Sequence, residues 1–245
     1  MCRFLLIAPL LAALALAACY SVDDIKTRDI VATIPWPDHE EADYVLVDRD
    51  DEEEELGRGT LIVDQNGEGQ FEFQLNFSSD DGTDETSVLV DAETLKPDFV
   101  RRERLLGDTR ELLEGQYRPA EEVLDIKTVI DQEERTVPLG VDEEHYYDNE
   151  TSLFLWRTIA FEEDYKASYH TVLANQRSVR LVTVRVVGQQ QLTVPAGTFE
   201  TWHLELRGEG GLRHEAWYTT TPEHVLIQYD NTEQLFKLTE YRGLP

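Results

Sequence analysis

Six histidines (His39, His145, His170, His203, His214 and His224) and fifty carboxylates are the side chains of this 245-residue sequence that could do acid–base or metal chemistry. Their spacing matches no compact catalytic motif. An H-E-x-x-H pair, which would set two imidazoles and a general base on one helical face, is missing, and so are the G-x-S-x-G elbow and the G-x-x-x-x-G-K-[ST] phosphate loop. Gly208-Glu209-Gly210-Gly211 separates two expected strands and opens no helix, so it reads as a turn and not as a dinucleotide fingerprint. One constellation could still assemble in space. His203, His214 and His224 fall on neighbouring expected strands with Glu205 and Glu215, and would make a hydrolase or metal-dependent enzyme if they converged. The plainer reading leaves them as surface histidines of a sheet.

The acidic run Asp48 to Glu55 invites calcium, which prefers several carboxylate oxygens. In an EF-hand starting at Asp48, however, position six would be Glu53 instead of Gly and position twelve Gly59 instead of Glu, so a solvated hairpin loop is expected. Asp80 to Glu85 reads the same way. Phe71, Phe73, Phe77, Trp156, Trp202 and Trp217 could line a cavity for an apolar ligand, although aromatic residues at strand alternation ordinarily fill a core. No metal and no cofactor are expected.

These residues are carried by strands. Phe71, Phe73, Leu75 and Phe77 alternate with Glu72, Gln74 and Asn76, which places large apolar groups on one face of a strand. Strands are expected near 60–64, 71–77, 87–91, 98–106, 110–118, 121–130, 165–174, 178–187, 190–194, 198–207, 212–219, 224–230 and 234–241. Turn signals recur every eight to twelve residues. One helix is expected near 150–160, capped by Asn149 and led by Glu150. In the turn Val194-Pro195-Ala196-Gly197, Pro195 presets the first corner and Gly197 takes a left-handed bulge position, with Trp202 facing inward and His203 outward. The expected fold is all-β, a single antiparallel, strongly curved sheet or open barrel.

The chain opens with Arg3, a 15-residue apolar run from Phe4 to Ala18, and Leu16-Ala17-Ala18-Cys19. A helix of that run spans roughly 22 Å, short of the ~30 Å hydrocarbon layer, so it reads as an export signal and not as a permanent span. Leu16-Ala17-Ala18-Cys19 resembles the lipobox of bacterial lipoproteins. That resemblance implies that Cys19 receives a diacylglycerol and becomes the mature terminus, leaving residues 1–18 as signal peptide, 19–40 as tether and 41–245 as a β domain at the cell envelope. Cys2 would leave with the signal, so the mature body would hold no disulfide and no thiol nucleophile. With 22 basic against 50 acidic residues the formal charge is −28, which repels nucleic acid and anionic headgroups from the body as a whole. The surface composition suits a saline medium or an exported acidic protein equally.

Val194-Pro195-Ala196-Gly197-Thr198-Phe199, followed by a strand and Ala216-Trp217-Tyr218, resembles the C-terminal half of a family of exported bacterial β domains of unknown function. Asp91 to Pro97 and Tyr147-Asp148-Asn149-Glu150 are similar to its earlier landmarks, over a span from about Tyr44 to Tyr241. A looser resemblance is to the half-barrel lipoprotein carriers and receptors of the bacterial envelope. Together these imply a membrane-anchored binding or scaffold protein. Its expected partners are an apolar ligand or an envelope protein, with the membrane itself reached through the lipid.

Overall fold

In the computed structural model, residues 25–67 and 69–243 are described. Among them fifteen strands make one sheet: β1 (His39–Asp48), β2 (Glu55–Asn66), β3 (Gln70–Ser79), β4 (Gly82–Asp91), β5 (Pro97–Leu106), β6 (Thr109–Arg118), β7 (Val123–Ile130), β8 (Glu133–Gly140), β9 (Tyr146–Asp148), β10 (Lys166–Leu173), β11 (Ser178–Val194), β12 (Gly197–Gly208), β13 (Arg213–Thr219), β14 (Leu226–Asp230) and β15 (Gln234–Gly243). The order is 8-7-6-5-4-3-2-1-15-14-13-12-11-10-9. This is a ring of hairpins in which β1 pairs with β15, left open between β8 and β9. Every pairing is antiparallel except β9 with β10.

Period-two alternation explains the curvature's inner face. Phe71, Phe73 and Leu75 of β3, Val88 and Val90 of β4, Leu124 and Ile126 of β7, and Val182, Val184 and Val186 of β11 all join one core cluster. The all-β, open-barrel expectation therefore holds. Several local expectations change. The two strands expected at 178–187 and 190–194 are one 17-residue strand, β11, because the break at Gly188 is a bulge at Val186/Gly188 and not a turn. At the hairpin tip Val194 pairs directly with Gly197, leaving a two-residue Pro195-Ala196 loop without the expected bulge. Gly197 sits at φ +139°, a region for glycine, and Ala196 N–H donates to the Leu238 carbonyl at 3.0 Å, so the tip docks on β15.

The interior is filled by two non-strand segments. The helical stretch from 149 to 158 consists of a 3-10 turn, a short helix α1 (Ser152–Leu155) and a second 3-10 turn. Asp148, and not the expected Asn149, caps it: the carboxylate accepts from Glu150 N–H at 2.9 Å. Phe154 stacks on Phe73 at 4.5 Å, and Trp36 meets Phe73 edge-on at 5.3 Å. Trp36 is 7% exposed and Ile30 only 2% exposed. The segment expected to be tether thus packs into the body from about residue 30, and β1 begins ahead of the expected boundary at 41. An apolar tryptophan flanked by two prolines cannot join a ladder, but it can serve as a plug.

Candidate functional site

A recess of about 180 Å³ opens between the helical stretch and the inner faces of the strands. Its walls come from β3 (Leu75, Phe77), the helical stretch (Asn149, Glu150, Leu153, Trp156), β10 (Tyr169, Thr171), β11 (Val182), β13 (His214), β14 (Tyr229) and β15 (Phe236). Most of the wall is aromatic or aliphatic, and its polar groups are few. Trp156 Nε1–H donates to Tyr169 Oη at 2.8 Å, and Tyr229 Oη lies 2.6 Å from His214 Nδ1. Thr171, 3% exposed, has a buried Oγ1 with no hydrogen-bond partner among the described residues. An orphaned hydroxyl in an apolar wall is an unmet hydrogen bond, and that is unusual in a folded interior.

Two carboxylates are perturbed here, Glu150 in the wall of the recess and Asp148 two residues before it. Burial, then the neighbouring Glu150 charge, push Asp148 up to about 7, against the opposing hydrogen bond from Tyr117 Oη at 2.6 Å. Glu150 is also raised by burial, with Arg102 opposing at 3.4 Å. Arg102 itself is forked onto Asp84 at 2.8 and 2.5 Å. Burial lowers His214, with Asp230 opposing, which favours the neutral imidazole.

The alternative histidine cluster does not assemble. His203 meets Glu215 at 2.8 Å and stacks on Trp217 at 4.7 Å, on the face opposite the core. His214 lies on the inner face at the recess, and His224 packs against Phe161 at 4.1 Å. The alternation of strand side chains separates them: His203 and His214 occupy positions of opposite parity across β12 and β13. The His203–Glu215 pair has no hydroxyl or thiol hydrogen-bonded to it among the described residues. Of the six aromatic candidates, Phe77 and Trp156 line the recess. Phe71 and Phe73 instead grip Trp36 in the filled core, Trp202 packs on Phe161 at 6.1 Å, and Trp217 is buried under His203 on the opposite face of the sheet, away from the recess. Trp202 accordingly sits at the core's margin and not deep within it. In the acidic loop Asp48 accepts from the Asp50 and Asp51 N–H groups, Arg49 pairs with Asp230 at 2.8 Å, and Glu52 pairs with Lys237, so the loop is pinned down. Among the described residues no group of three His, Cys, Asp or Glu side chains is arranged to hold a metal ion. Cys19 lies outside the described residues.

Composition and spacing missed Thr171, Tyr169 and Tyr229, because each is an ordinary inward position on a strand. Glu150 is visible in the sequence only as part of a helix start and a family landmark, and Asp148 only within that landmark. A larger groove of about 470 Å³ lies between the β11–β12 tip (Ala196, Phe199) and β13–β15 (Thr219, Val225, Leu238, Tyr241). Its hydroxyls are all engaged: Thr219 with Val225 N–H, Thr239 with the Asp43 carbonyl, and Tyr241 with Glu40. Behind it, Arg157 of the helical stretch forks onto Glu40, donates to the Glu223 carbonyl at 2.7 Å and lies 5.3 Å from the Trp36 ring, a buried strut between plug and sheet.

An open ring of antiparallel strands around an inserted helical stretch, with a recess at their junction, defines the molecule as a barrel-like β protein. The chain belongs to the family of proteins of unknown function DUF3108, whose model matches residues 42–233. No curated protein matches it. Among solved structures it is similar to a beta-barrel-like protein of domain of unknown function DUF1849 from Brucella abortus, at 14% identity and a TM-score of 0.53, over 84% of this chain and 98% of that one. This likeness is one of fold. A protein with a YmcC-like fold from Bacteroides fragilis (10% identity, 87% and 100% covered, TM-score 0.31) and a candidate lipoprotein from Parabacteroides distasonis (12% identity, 86% and 99% covered, TM-score 0.32) overlap it more loosely.

Proposed function

We propose that this protein is an exported lipoprotein, tethered to the cell envelope through Cys19, that binds a small, mostly apolar ligand in the recess beside its helical stretch. The observation that carries the binding reading is the recess itself, about 180 Å³ walled largely by Phe77, Trp156, Tyr169, Tyr229 and Phe236. The anchor rests on Leu16-Ala17-Ala18-Cys19 and the short apolar run before it. Two acyl chains hold a body at a bilayer where one would not.

Native mass spectrometry of protein purified from its own envelope tests the binding reading. A co-purifying small molecule that is lost in a Val182→Trp variant, where the added bulk fills the recess, supports it; a bare wild-type mass in gentle detergent counts against it. For the anchor, Cys19→Ser should move the protein from the detergent phase to the aqueous phase. Partitioning that is unchanged by the substitution would overturn lipidation and leave the recess untouched.

A further inference from the structure

Resting on the Cys19 anchor proposed above, we infer that the β10–β11 hairpin is the side of the body that lies against anionic phospholipid headgroups of the anchoring membrane. Acidic residues are 50 of the 245 in the chain, so a stretch of 35 should hold about seven. The 35 residues from Tyr165 to Phe199 hold none, while carrying Lys166, Arg177, Arg180 and Arg185. Register concentrates the charge further. Lys166 stands directly opposite Arg185, and on the adjoining strands Arg207 stands opposite Arg213. All four share the face turned away from the core, because their neighbours Ala167, Val184 and Leu206 point into it. Like charges placed opposite one another destabilise a sheet. Glu205 answers two of them, Arg185 at 2.9 Å and Arg207 at 2.5 Å. Lys166 and Arg213 are exposed and have no carboxylate partner among the described residues. Of the other acids nearby, Glu215 is engaged by His203, and Glu162, Glu163 and Asp164 end just short of the hairpin.

The occupant follows from where the chain leaves the body. Arg28 N–H donates to the Ser168 carbonyl at 2.9 Å and its guanidinium to the Lys166 carbonyl at 2.8 Å, so the segment leading to the anchor runs along β10. Six residues separate Ile25 from Cys19, a reach of roughly 20 Å when fully extended. An acylated Cys19 therefore keeps this hairpin close to the bilayer. The charge of −28 repels the body as a whole, but screening over about 8 Å leaves the nearest residues to decide which side approaches. The acid-free side is the one an anionic surface attracts. Two exposed apolar side chains, Ile25 on the leading segment and Val187 on the hairpin, suit the headgroup boundary.

The test uses the lipidated protein carrying Val187→Cys, labelled with an environment-sensitive dye, since an acylated Cys19 leaves the mature body no other thiol. It is reconstituted into vesicles of phosphatidylcholine alone or with about one-third phosphatidylglycerol, and the dye emission is read. Emission should shift to the blue on the anionic vesicles and return in about 0.5 M salt, while a dye at Leu105→Cys, on the distant β5–β6 tip, should not respond. Lys166→Gln and Arg213→Gln should each weaken the docking equilibrium about fivefold, with circular dichroism confirming that the variants are folded. Equal emission on both vesicles, indifference to the two substitutions, or a shift at Leu105→Cys in place of Val187→Cys would overturn the contact. With flotation on both vesicles intact, those results leave the anchor standing. Failure to float with either vesicle would overturn the anchor and the contact together.

Discussion

Asp148 should make the stability of this protein fall as pH rises from about 4 to about 7. Its carboxyl is 1% exposed, and burial moves its pKa from the ordinary 3.8 to about 7. A group whose folded pKa is raised holds its proton in the native state after the unfolded chain has released it. The native state is then favoured at low pH, and the advantage disappears as pH climbs from the unfolded to the folded value. Three units at about 1.4 kcal/mol each amount to roughly 4 kcal/mol between about pH 4 and pH 7, an upper bound because Glu150 is coupled to the same site. Asp148→Asn keeps an oxygen for the Glu150 N–H cap and an amide able to donate to Tyr117, and removes the charge. Urea midpoints of wild type and variant should therefore diverge with pH. The wild type should be the equal or better at about pH 5, and the variant should lead by about 2–4 kcal/mol at about pH 8. The comparison also cancels the self-repulsion of a −28 body, which both proteins share. Parallel stability curves across that window would refute the buried, proton-holding carboxyl.

Glu40→Gln should destabilise by about 3–5 kcal/mol, because Arg157 would stay buried without its counter-ion, and adding Arg157→Met should recover much of the loss in chemical denaturation. Trp36→Ala should cost about 3–5 kcal/mol by emptying the plug beside Phe71 and Phe73, whereas a true tether residue would change the thermal midpoint hardly at all. Gly82→Ala should weaken the β4–β5 ladder by about 1–3 kcal/mol or more: its φ is +149°, and a Cβ there would stand 1.7 Å from the Leu105 carbonyl oxygen, a loss visible as faster amide exchange in residues 82–106.

Much of this architecture is legible in one dimension. Period-two patterning in segments such as Phe71 to Phe77 identifies strands and their inward faces, because a strand that buries one side must alternate whatever its neighbours are. Turn chemistry at Asp91 to Pro97 and at Pro195-Ala196 marks where strands reverse, and the apolar start with Cys19 sets the expectation of export. Three things needed the third dimension. Whether Gly188 breaks a strand or bulges within it depends on the partner strand β12. Whether Trp36 belongs to a linker depends on an aromatic pocket built from residues 71, 73 and 154. And whether His203 meets His214 depends on strand parity and on which side of a curved sheet each emerges. The recess itself is of the last kind: residues from 75 to 236, none distinctive alone, border it only because β1 pairs with β15 and joins the two halves of the open ring around an inserted segment. Local sequence determines which way a side chain points from its strand, while long-range pairing decides what it meets there.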